Sequence, residues 1–321
     1  MFDTSLLPAA DTSLRCAVHA EVIGLHPGGS AFFVDEIIVV DVVRPWPKPV
    51  WAADGFTAVP ELVMAAAEAG RRVRVLAAVG DEASNDGASD FAAIVVHRRV
   101  SGTGLLERIE HRCGPALVAD LLSVLLLDGL DASPQTVVDV PAPRAELLIC
   151  AQGSHDVCCG SRGTAMAAEI SAARPDVSVR RVSHTGGHRF APTGISLPDG
   201  RMWGMFELDE MAAILDRSGS PAAVAGRCRG WTGANGPGQV AEAAVFALVD
   251  DWAFDSLDRS VIVDVDGDGW RCTVSAGERQ WTVGIALGRR VPAITCGELG
   301  GGKLKPGTEY VVTSSPELVG R

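Results

Sequence analysis

The chain has 321 residues, of which 47% are hydrophobic and 21% charged, with a formal net charge of −12. That length suits two or three domains, and that composition is too apolar for a disordered chain. The acidic balance excludes a broad nucleic-acid surface, which needs clustered Lys and Arg.

The short basic pairs Arg71–Arg72 and Arg180–Arg181 read as solvated element ends. Met1-Phe2-Asp3-Thr4-Ser5 shows no basic and apolar leader. The most apolar stretches, Phe32–Val43 and Ala116–Leu127, are too short or too charged to span a bilayer. The expectation is a cytoplasmic protein without a membrane partner. Its eight cysteines are then thiols or ligands rather than structural disulfides.

Phe32–Val43, rich in β-branched residues, predicts a buried strand that Trp46-Pro47-Lys48-Pro49 stops. Pro60–Gly70 predicts a helix ending at a glycine. Strands are predicted over Val73–Val79 and Ala92–His97, and a helix over Pro115–Leu127. This makes an N-terminal α/β unit, residues 1–140. Pro141-Ala142-Pro143 reads as a linker. A second unit, residues 141–220, follows in the order strand, loop, helix, three strands, helix. Its elements are Glu146–Cys150, Ser161–Ala173 (capped by Ser161 or Thr164), Val177–Val182, Gly194–Leu197, Arg201–Phe206 and Glu207–Leu215. That order is thioredoxin-like. Residues 221–321 read as a small C-terminal α+β module. It has a helix over Gln239–Leu248 and short strands over Val261–Val265, Trp270–Ser275, Gln280–Ala286 and Arg290–Thr295. No long internal repeat is visible.

Two segments of the second unit carry the chemistry. One runs from Cys150 through Gly153-Ser154-His155-Asp156 to Cys158-Cys159-Gly160, from a strand end to a helix start. The other is His184-Thr185-Gly186-Gly187-His188, after the next strand. In a parallel strand–helix–strand unit both strand ends face one edge, so two thiols and two imidazoles can converge. Such donors favour zinc, copper or iron–sulfur over magnesium or calcium. The wide Cys spacing and the glycines between the histidines do not resemble a zinc finger. A [2Fe–2S] cluster takes two ligands per iron, and two His on one iron raise its potential. Gly153, Gly160, Gly186 and Gly187 let the backbone come close and offer amide donors. Residue types alone leave the metal open.

The strings Cys150…Gly153-Ser154-His155-Asp156…Cys159-Gly160 and His184-x-Gly186-Gly187-His188-x-Phe190-Ala191, with Pro198-Asp199-Gly200-Arg201-Met202-Trp203-Gly204, resemble the sucrase/ferredoxin-like family. The match is specific over about residues 146–206. A similar shape recurs at Ala31–Pro47, and Cys228-Arg229-Gly230 with Gln239–Ala244 resembles bacterial members. The resemblance implies a thioredoxin-like ferredoxin domain with a [2Fe–2S] cluster. Its ligands would be Cys150, Cys159, His184 and His188, the Cys before Gly selecting Cys159 over Cys158. Cys158 is placed for a ligand swap, and His155 to compete as a ligand or to act as a donor outside the ligand set. Cys16, Cys113, Cys228, Cys272 and Cys296 read as packing residues, and Trp203 as core beneath the site. Arg162 reads as a donor near the sulfides or an exposed helix-start residue. No paired carboxylates are placed for glycoside hydrolysis.

The function expected is electron transfer or redox sensing. No Gly-x-Gly-x-x-Gly follows a strand, so a separate reductase is the expected redox partner protein. An acidic surface suits docking to a basic partner. The competing readings are a thioredoxin-type thiol oxidoreductase, which lacks the Cys-x-x-Cys spacing, and a structural zinc-binding protein.

Overall fold

The computed structural model describes residues 3–8, 15–79, 91–129, 132–296 and 305–320. The β-branched run Glu36–Asp41 forms strand β1, shorter than the predicted Phe32–Val43. The other strands of its sheet are β2 (Val73–Ala78), β3 (Ala92–Arg99), β4 (Leu106–Cys113), β5 (Val137–Val138), β6 (Glu146–Cys150), β7 (Ser178–Val182), β8 (Thr193–Leu197), β9 (Arg201–Gly204) and β10 (Cys228–Trp231). A second sheet holds β11 (Arg259–Asp266), β12 (Gly269–Ala276), β13 (Arg279–Ala293) and β14 (Lys305–Gly320). The helices among the described residues are α1 (Cys16–Val22), α2 (Val59–Glu68), α3 (Val118–Leu127), α4 (Thr164–Ala173), α5 (Leu208–Asp216), α6 (Pro221–Val224) and α7 (Gly236–Val249). The molecule is thus mixed α/β.

The large sheet has the order β10-β9-β8-β6-β7-β2-β1-β3-β4-β5. Each half repeats one pattern. β1 and β2 are parallel with α2 between them, and β3 and β4 continue antiparallel from β1. Likewise β6 and β7 are parallel with α4 between them, and β8 and β9 continue antiparallel from β6. The fold therefore repeats where the sequence shows no repeat. Strand order needs only an apolar pattern, and unrelated side chains can supply it.

The halves meet where the C-terminal ends of β2 and β7 pair antiparallel, Ala78 opposite Val182. Ser183 ties this seam twice. Its amide donates to the Ala77 carbonyl at 2.7 Å, and its hydroxyl accepts from the Ala77 amide at 3.0 Å. A shared core of Ile37, Val39, Leu76, Leu148, Val182 and Ile195 covers one face of the seam. The loops after β1 and β6 are brought together there. Gln152 Nε2 donates to the Pro47 carbonyl at 2.8 Å, and Lys48 Nζ to the His155 carbonyl at 3.0 Å.

The C-terminal sheet packs across α7 onto the outer face of β6, β8 and β9. Leu147, Ile149 and Trp203 share one core with Val245, Phe246, Val274 and Trp281. Asn235 starts α7, its side chain accepting from the Gly238 amide, with Pro237 in the first turn. β13 is one long strand rather than the two predicted, because β14 pairs along it from Gln280 to Ala293.

A fully buried ion network joins the two sheets. Arg201 of β9 reaches Asp255 at 2.7 Å and forks onto Glu242 of α7 at 2.8 Å. Arg259 of β11 bonds the same two acids. Removing one member strands opposite charges out of water. Glu242→Gln is expected to lower unfolding stability by about 3–5 kcal/mol, read as a fall in the urea midpoint.

At the junction of the halves, His97 of β3 lies 3.4 Å from Glu146, and both are buried. Burial, opposed by Glu146 and reinforced by Arg108 and Arg180, holds the imidazole down at about 4. The unfolded chain therefore binds a proton that the folded chain refuses between about pH 6.5 and that value. This contribution is fully present above about pH 6.5 and is lost as pH falls, by on the order of 3 kcal/mol. His97→Asn is expected to flatten that part of the stability profile, measured by urea unfolding at stepped pH.

Candidate metal centre

β6 ends at Cys150, and the chain turns through 151–158 into a π-helical turn, Cys159–Gly163, that opens into α4. π-turns of this kind recur at functional sites because they redirect side chains. Gly163 permits it here: a Cβ would stand 1.9 Å from the Cys150 carbonyl oxygen. The turn so seats Cys159 against the end of β6. The predicted helix cap is absent. Ser161 Oγ donates back to the Val157 carbonyl at 2.8 Å instead.

The second loop follows β7. Gly186 and Gly187 both take left-handed backbone, φ 73° and 63°, which side chains other than glycine rarely adopt. A Cβ on Gly187 would also sit 2.7 Å from Arg229 Nη2. That guanidinium is fully buried. It donates to the carbonyls of Thr185 (3.3 Å), Gly186 (3.1 Å) and Ser30 (2.6 Å), and to Ser30 Oγ (3.1 Å). Arg74 of β2 donates to the His184 carbonyl at 2.8 Å from the other side. Gln152 closes the gap between loops, its Oε1 accepting from the His184 amide at 3.0 Å.

Three predicted residues converge. The ligand atoms of Cys150, Cys159 and His184 all lie within 4.8 Å of one another, with His184 Nδ1 at 4.0 Å from Cys150 Sγ. Both thiols are buried. The hydrogen bond between them holds Cys150 well below the usual thiol range against burial, and with burial pushes Cys159 well above it.

His188 stands beside this group, its ring 5.9 Å from that of His184. Its Nδ1 faces Asp156 Oδ2 at 3.2 Å and Cys16 Sγ at 3.3 Å. The tautomer that pairs with the carboxylate carries its proton on Nδ1 and leaves Nε2 free to ligate. Burial opposes the Asp156 charge, but hydrogen bonds from His188 and the Cys296 amide hold the carboxyl well below the usual range. His155 stacks on His184 with centroids 3.6 Å apart. Burial, with His184 and Lys48 beside it, holds His155 down at about 4, so it is neutral near pH 7.

Other expectations resolve differently. Cys16 and Cys296, expected as packing residues, do pack, but in one apolar cluster with Cys158 rather than singly. They converge with Asp156 into a second group whose ligand atoms also lie within 4.8 Å. Cys158 therefore points away from Cys159's partners and into this group. Cys113, Cys228 and Cys272 lie elsewhere, and Trp203 is core, its Nε1 donating to Ser196 Oγ. Arg162 bonds Glu21 and the Ala191 carbonyl. The sequence assigns no role to Arg74, and it places Arg229 only in the Cys228-Arg229-Gly230 motif. An Arg inside an apolar strand was the available signal.

Fold and site together define a mixed α/β protein whose buried thiols and part-exposed imidazole could hold a metal. The sucrase/ferredoxin-like family model matches residues 34–230, and the chain belongs to the sucrase/ferredoxin-like family. No curated protein and no solved structure matches it.

Arg229→Met is expected to free the His184–His188 loop. Partners outside a ligand set are typically worth roughly 10–100-fold in metal affinity. Competition with a chelator checks that loss, and faster amide exchange at 185–188 checks its cause.

Proposed function

We propose that this chain is an electron-transfer protein carrying a [2Fe–2S] cluster, with Cys150 and Cys159 on one iron and His184 and His188 on the other. The observation that carries the reading is the meeting of Cys150, Cys159 and His184 at the ends of two adjacent parallel strands, with His188 on the same loop, in a member of this family. The donor set fits the group. It offers two buried thiols and one imidazole within reach of one another, and a second imidazole oriented by a carboxylate. When bound, the cluster supplies reversible one-electron chemistry, at a potential raised by its histidines.

The chain's own residues do the rest. Arg229, fully buried, and Arg74, half-buried, place two cations near Cys150, and each feels that thiolate's charge. Positive charge there favours added electrons. Cys150 and Cys159 are sealed from water, while His184 and His188 are part-exposed, so the imidazole end is the edge an electron partner reaches. The order β6-α4-β7-β8-β9-α5 supports a thioredoxin-like ferredoxin unit within residues 141–220. The eight unpaired cysteines suit a reducing, cytoplasmic setting. Among the described residues no helix is long and apolar enough to cross a membrane. The electron source is a separate reductase that docks on the acidic chain.

Anaerobically purified protein is expected to be red-brown, to bleach with dithionite and to give a [2Fe–2S] EPR signal on reduction. Cys150→Ser should abolish the chromophore. His184→Cys should lower the potential by on the order of 0.1 V or more, toward an all-Cys site. Iron-free, colourless protein would overturn the reading. So would a spectrum and potential unchanged in both His184→Cys and His188→Cys.

A further inference from the structure

Three cysteines outside the proposed cluster ligands meet from three distant parts of the chain. Cys16 begins α1, Cys158 lies on the loop after β6, and Cys296 follows β13. The Sγ atoms of Cys158 and Cys296 are 3.2 Å apart, and those of Cys296 and Cys16 are 3.4 Å apart. Asp156 Oδ1 lies 3.5 Å from Cys16 Sγ. A disulfide joins two sulfurs at about 2.05 Å and excludes a third. Three sulfurs about one tetrahedral zinc, at Zn–S of about 2.3 Å, stand roughly 3.8 Å apart. The observed spacing needs an opening of a few tenths of an ångström.

Hydrogen bonds hold this cluster of side chains in place. The Cys16 amide donates to Cys296 Sγ at 3.3 Å. Asp156 fixes two of the cysteines by their backbones, accepting from the Cys158 amide at 2.8 Å and the Cys296 amide at 3.1 Å. Ala17, Ala191 and Ile294 pack against the sulfurs. A three-sulfur, one-oxygen set with apolar walls selects a thiophilic cation and discriminates against magnesium and calcium.

We infer that Cys16, Cys158, Cys296 and Asp156 form a second, structural metal site for zinc or a similar thiophilic divalent cation. Binding releases the thiol protons and forms three metal–sulfur bonds and one bond to Asp156 Oδ1. Its Oδ2 stays with His188. The metal would staple two segments outside residues 34–230 to the loop that carries Cys159. The site uses none of the four proposed cluster ligands and stands whether or not that cluster forms.

The test is metal analysis of the full chain after chelator washing under anaerobic conditions. One zinc per chain is expected. The double variant Cys16→Ser, Cys296→Ser should lose it while iron and the visible spectrum remain, and Cys150→Ser should lose iron while zinc remains. In zinc-stripped, iron-free Cys150→Ser protein, cobalt(II) should give near-ultraviolet thiolate charge-transfer bands and tetrahedral visible bands that saturate at one equivalent. Adding Cys296→Ser should abolish them. Wild-type protein that binds neither zinc nor cobalt would overturn the inference. So would zinc retained in the double variant, or a Cys158–Cys296 disulfide in metal-free protein.

Discussion

A buried guanidinium, Arg229, and a half-buried one, Arg74, carry the charge balance at the candidate site. Thiolates are costly away from water unless opposite charge or hydrogen bonds accompany them. Arg229 and Arg74 supply that charge from either side of the His184–His188 loop. They also fix the loop through its carbonyls, so one pair of side chains both positions the loop and places positive charge beside Cys150. Arg74 comes from the first half of the sheet and Arg229 from the last strand of the second. The site is therefore a product of the whole sheet.

That dependence explains the seam. With β2 and β7 paired at their C-terminal ends, the loops after β1 and β6 touch. The first half lacks the Cys and His constellation, yet Pro47 and Lys48 of its β1 loop buttress the loop that carries Cys159. The ion network around Arg201 and Glu242 plays the corresponding part on the other side. It clamps α7 and the C-terminal sheet onto β9, two strands from β6, which ends at Cys150.

Much of the second unit was legible in the sequence. Glu146–Cys150 is an unbroken apolar strand, and Ser178–Val182, Thr193–Leu197 and Leu208–Asp216 fall close to their predicted places. The missed elements share a cause. β4 reads Leu-Glu-Arg-Ile-Glu-His-Arg-Cys, whose charged residues hide a strand in which Glu110 pairs with Arg108 and Arg112. β14 is punctuated by Pro306, Gly307, Ser314 and Pro316, which imitate loop signals. α1 is seven residues long, and helices that short take their stability from packing rather than propensity. The candidate site was legible as far as its ligands lay on two neighbouring loops. Cys16 and Cys296 are 280 positions apart, and no spacing rule joins them.

The most direct measurement is hyperfine spectroscopy of the reduced protein labelled with ¹⁵N-histidine. The account predicts strongly coupled nitrogen from two histidines on a paramagnetic iron–sulfur centre, with one coupling lost in His184→Cys and the other in His188→Cys. A reduced centre with no histidine nitrogen coupled to it would contradict the assignment of His184 and His188 as ligands.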